Sequence, residues 1–119
     1  MNYVDQEDFL QEFGADDAPE DSSRIDRAID RAESLVETYL RAAGMAIPVQ
    51  DQGAIRDIKG PTLDIARYLL WNDKPSETQR ERYEDALKFL ESIASGKIKL
   101  IVKDPAPSTG FANFRIVRA

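Results

Sequence analysis

The chain has 119 residues, no cysteine, no histidine and a formal net charge of −6. Disulfides, thiolate metal sites and histidine acid–base chemistry are therefore excluded, leaving any catalysis to carboxylates, Lys, Tyr or Ser. The length suits one domain with its own core, and the acidic balance argues against nucleic-acid binding by the chain as a whole.

Charge is unevenly spread. Residues 1–21 hold Asp5, Glu7, Asp8, Glu12, Asp16, Asp17, Glu20 and Asp21 with no basic residue, while from Lys97 onward Lys97, Lys99, Lys103, Arg115 and Arg118 face only Asp104. Such polarity suits head-to-tail packing of copies or docking on a charged partner, and it also keeps a protein soluble. The opening MNYVDQEDFL has no basic n-region and no apolar h-region, unlike a signal peptide. No apolar run approaches the roughly 20 residues of a membrane span, so assembly in a cytoplasm is expected.

In chain order, Asp5 predicts the cap of a short helix with Phe9, Leu10 and Phe13 on its apolar side and Gly14 as its stop. The acidic ADDAPEDSS reads as a loop. Its spacing does not match a calcium-binding loop and it lacks the required glycine, so no metal is expected there.

Ser22 or Ser23 opens a helix to about Ala43. Ile25, Ala28, Ile29, Ala32, Leu35, Val36, Tyr39 and Leu40 form its buried stripe. Asp26, Arg27, Asp30, Arg31, Glu33, Ser34 and Glu37 read as a solvated face, and this reading is preferred to one of catalytic carboxylate pairs. Gly44 ends the helix.

A further helical stretch, Ala54 to Asn72, is interrupted by Gly60-Pro61, which predicts either a kink or a helix starting at Pro61. Leu63, Ile65, Ala66, Leu69, Leu70 and Trp71 give it apolar residues on more than one side, implying burial between neighbours. Ser76 and Gln79 predict a capping box for the last helix. Tyr83, Ala86, Leu87, Leu90, Ile93 and Ala94 form its inner stripe, and Phe89 stands beside it, placed to face a partner. Gly96 is the stop. Ile98, Leu100 and Val102 then alternate with Lys97, Lys99, Ile101 and Lys103, which predicts a short strand halted by Pro105 and Pro107. The terminal STGFANFRIVRA carries Phe111, Phe114, Ile116 and Val117, apolar residues that call for burial on the helices or on another chain. A lone strand likewise calls for a pairing partner.

The expected fold is therefore mainly α: a small antiparallel bundle of three main helices plus a short N-terminal helix, with a short C-terminal strand and an extended arm. Residues 1–104 form the helical domain and residues 105–119 the arm. No phosphate-binding loop, nucleophile elbow or metal spacing occurs, so no enzyme activity and no cofactor are expected.

LDIARYLLWN (63–72) and ETQRERYEDALKFLESIASGKIKL (77–100), preceded by DFLQEFG and IDRAIDRAESLVETYL, resemble the head–tail connector (adaptor) family of Mu-like phages and prophages over residues 3 to 100. The resemblance implies a virion protein, assembled in the host cytoplasm. It would form a homo-oligomeric ring below the portal, extend a channel through which DNA passes without sequence-specific binding, and offer a docking surface to the tail. Its implied partners are the portal protein and a tail-completion protein, with no membrane. Portal contact is expected of Phe111, Phe114, Arg115 and Ile116 in the arm, and Lys97 and Lys99 before it are expected to bind a partner. A tail-completion role, or a non-phage helical interaction module, are the alternatives.

Overall fold

The computed structural model describes residues 3–71 and 73–100, which fold as four α-helices: α1 (Gln6–Phe13), α2 (Ser23–Ala42), α3 (Gln52–Leu70) and α4 (Glu77–Ala94). A 3-10 turn over Ala15–Asp17 links α1 to α2. Helices α2, α3 and α4 pack on one another around a core that includes Ile29, Val36, Leu40, Ile58, Ile65 and Leu90. Short connections make successive helices antiparallel, so the start of α2 meets the end of α3 and Arg24 Nη2 donates to the Leu70 carbonyl at 3.4 Å.

The helix ends follow local chemistry. Asp5 with Asp8, and Ser76 with Gln79, each close a reciprocal capping box. Helix α2 opens at Ser23 as expected, although the Ser22 side chain makes no capping hydrogen bond. Asp21 takes over, its carboxylate accepting from the Ser23 amide at 3.0 Å and the Ser23 hydroxyl at 2.7 Å. Gly44, at φ 86°, ends α2 with its own N–H on the Arg41 carbonyl and that of Met45 on Leu40, a Schellman closure that a side chain at this left-handed φ would strain.

Of the two expected outcomes, a helix starting at Pro61 does not occur: α3 begins at Gln52 and continues through Pro61. An internal proline costs about 3 kcal/mol. Ile58, Leu63, Ile65 and Leu70 are all buried, and each such burial contributes about 1.5–3 kcal/mol, so packing between α2 and α4 decides the outcome. The expected strand does not form over residues 97–100. Instead the Gly96 N–H bonds the Ile93 carbonyl and the Ile98 N–H reaches back to the Ser92 carbonyl, each at 3.1 Å. The N–H that would start a sheet ladder is consumed closing α4. Residues 101–104 and the arm, 105–119, lie outside the described residues.

The N-terminal segment is tied to α2 by buried polar groups. Glu33, expected on the solvated face, is 6% exposed. Its carboxylate accepts from the Tyr3 backbone N–H and, at 3.1 Å, from that of Val4. The Tyr3 hydroxyl donates to Glu37 at 2.6 Å and accepts from the Val49 N–H at 2.9 Å. Burial pushes the Glu33 carboxyl up against the lowering effect of these two amides. Burial, then donation to Glu37, pushes the Tyr3 phenol up to about 12.

Helix α1 is held mainly by Phe9, fully buried and edge-on to Phe13 at 4.9 Å; Leu10, expected beside it, faces solvent. The Phe13 ring has the guanidinium of Arg67 at 4.5 Å and that of Arg82 at 5.5 Å. Arg82 Nη2 lies 3.3 Å from Glu12 and 3.0 Å from Asp64 Oδ1. Among the described residues that buried Asp64 oxygen makes no hydrogen bond. Burial outweighs the attraction of Arg82 and pushes the Asp64 carboxyl from 3.8 up to about 6.

Three outcomes test this packing. Leu90→Ala should cost about 2–5 kcal/mol in urea unfolding. Tyr3→Phe leaves the Val49 N–H without its acceptor and should cost about 1–3 kcal/mol, while an unchanged midpoint would mean the strap carries nothing. Asp64 binds its proton more tightly folded than unfolded. Its ionisation therefore opposes folding above about pH 6, and the opposition is absent below about pH 4. Between those values the Asp64 contribution to stability should fall with rising pH by about 3 kcal/mol at 1.36 kcal/mol per pKa unit, and Asp64→Asn should remove that share while leaving the part due to Glu33, which burial also raises.

Candidate interaction surfaces

Helical spacing gives α2 two flanks of opposite sign beside its buried stripe. Arg24, Arg27 and Arg31 follow one another at three and four residues and share one flank. Glu33 lies about two and a half turns beyond Arg24 and so points to the opposite side, where the N-terminal segment lies against it. Asp26, Asp30 and Glu37 continue that acidic flank.

The arginine flank faces the end of α3 and forms an open groove of about 250 Å³ lined by Arg24, Arg27, Ala28, Arg31, Leu69 and Leu70. Its floor is apolar and its rim cationic. Arg24 is anchored: it donates to the Leu70 carbonyl and its guanidinium lies 5.9 Å from the centre of the Trp71 ring. Arg27 Nη1 donates to the Ser23 hydroxyl at 3.2 Å. Among the described residues none of the three arginines forms an ion pair. At the head of α2 the two Ser23 hydrogen bonds hold the Asp21 carboxyl below the usual range, with Arg27 and Arg24 adding to the effect. The arrangement can bind an acidic group but contains no nucleophile–base pair. Among the described residues no cluster of His, Cys, Asp or Glu could hold a metal ion, and no helix is long and apolar enough to cross a membrane.

Of the residues expected to meet a partner, Lys97 and Lys99 are exposed on the turn that caps α4. Phe111, Phe114, Arg115 and Ile116 lie outside the described residues. Phe89 packs half-buried against the core. Sequence reasoning had placed Arg27 and Arg31 among the acids of a mixed face; the 24/27/31 spacing was the signal that separates them.

The family model described as "Bacteriophage Mu, Gp36" matches residues 3–116, and so extends past the resemblance read to residue 100 and takes in Phe111, Phe114, Arg115 and Ile116. The chain is similar to the "Mu-like prophage FluMu protein gp36" of Haemophilus influenzae, at 30% identity over 84 residues. That similarity covers 71% of this chain and 57% of the relative's length. No solved structure matches the chain. A family match across nearly the whole sequence, arm included, establishes that the chain belongs to the Bacteriophage Mu, Gp36 family of phage proteins.

Proposed function

We propose that this phage protein is a non-enzymatic structural component of the virion, a head–tail connector whose copies form a ring below the portal, extend the DNA channel and present a docking surface to the tail. The observation that carries the reading is the family match from residue 3 to 116, combined with the resemblance of the sequence at residues 63–72 and 77–100 to a connector family. Physical features support it. A net charge of −6 gives a channel wall that repels phosphate and lets DNA slide. A body with an acidic and a cationic flank on one helix can make the heterologous contacts that close a ring. The exposed Lys97 and Lys99, next to the arm in sequence, form the portal-facing end in this reading.

Deletion of residues 105–119 tests it. The truncated protein should keep its helical circular dichroism and cooperative melting yet fail to co-sediment with purified portal. Completion of heads by the truncated protein would remove the arm from the assembly role.

A further inference from the structure

We propose that the arginine groove of α2 receives the acidic outer face of α1 from a second copy of this chain. The contact rests on the ring reading above and supplies one of its interfaces.

Two independent observations select this occupant. The first is charge. The groove presents Arg24, Arg27 and Arg31 with no ion pair among the described residues, although the protein has a net charge of −6. Residues 1–21 contain eight acids and no base, and Glu7, Asp16 and Glu20 within them are exposed. The C-terminal segment beyond Leu100 carries Lys103, Arg115 and Arg118 against Asp104, so it has the wrong sign for this rim. Duplex DNA has the right sign, but a net acidic body disfavours it.

The second is apolar surface. Leu10 on α1 is 37% exposed, one of two large hydrophobic residues left so open among the described residues. It lies three positions after Glu7, on the same helix face. The groove floor is Ala28, Leu69 and Leu70, with the rim arginines above it. A leucine flanked by a carboxylate matches an apolar floor flanked by guanidinium groups, which favour carboxylates as bidentate partners.

The two surfaces do not satisfy each other within one molecule. Helix α1 is held by Gln6 on the Ser22 carbonyl, Asp8 on Lys59 and Glu12 on Arg82, and among the described residues none of its acids pairs with Arg24, Arg27 or Arg31. Two complementary patches on different sides of one subunit make a heterologous contact, the kind that propagates around a ring.

The absence of cysteine makes thiol cross-linking clean. Full-length Leu10→Cys and Arg27→Cys proteins would be mixed and oxidised, with Leu10→Cys plus Glu84→Cys as the control pair. Thiols held together by a contact see a millimolar effective concentration, so the first pair should link at least about tenfold faster than the control. Arg27→Glu/Arg31→Glu should abolish self-association measured by light scattering, and adding Glu7→Arg should restore it in part. Equal cross-linking rates, or normal assembly of the charge-reversed protein, would overturn the groove assignment. If wild-type rings form while those results hold, the connector reading survives without this interface. If cross-linking succeeds but no ring forms with or without portal, the contact stands and the ring reading falls. Binding of a duplex DNA fragment that Arg27→Glu/Arg31→Glu removes, with self-association intact, would give the groove to phosphate instead.

Discussion

The carboxylate of Glu33 is the constraint on which the arrangement of this molecule depends. It is buried on α2 and satisfied by the amides of Tyr3 and Val4. A buried carboxylate without donors would cost several kcal/mol; with two amides supplied by the first residues of the chain it becomes a fixed anchorage. The Tyr3 hydroxyl extends the same network to Glu37 and to Val49 in the α2–α3 connection. Three stretches far apart in sequence are thereby locked at one place. One flank of α2 is committed to the chain's own N-terminus and the other is left with three arginines and a shallow apolar floor.

Net charge alone hides this division. A formal charge of −6 describes the whole chain, whereas recognition is set by where the charges stand. On α2 the acids and Arg24, Arg27 and Arg31 alternate along the sequence and separate in space, because each step turns by about 100°. A connector would use both signs: acid toward the nucleic acid passing by, cation toward an acidic neighbour. The proposed role uses surface and shape rather than bond-making groups, in keeping with a chain that has neither histidine nor cysteine.

Much of the fold was legible in the sequence. The stripes of α2 and α4, the Asp5 and Ser76 caps and the stops at Gly14, Gly44 and Gly96 all lie in spacings within a turn or two of helix, where local chemistry decides. The misreadings needed tertiary information. Glu33 looks like any solvated acid until the distant amides of Tyr3 and Val4 arrive. Pro61 looks like a break until burial on both sides of α3 outweighs its cost. The lysine-studded alternation after Gly96 looks like a strand until Ile98 spends its N–H on the last turn of α4. The groove was half legible: the arginine spacing is in the sequence, but its apolar floor comes from Leu69 and Leu70, some forty residues downstream.

The sequence holds a single tryptophan, Trp71, and it sits at the edge of that groove with the Arg24 guanidinium beside its ring. A partner that draws Arg24 away or dries the groove alters the indole's surroundings at that spot alone. Emission from the unlabelled protein is thus a native optical gauge of whether the groove is filled, with no second indole to blur the signal.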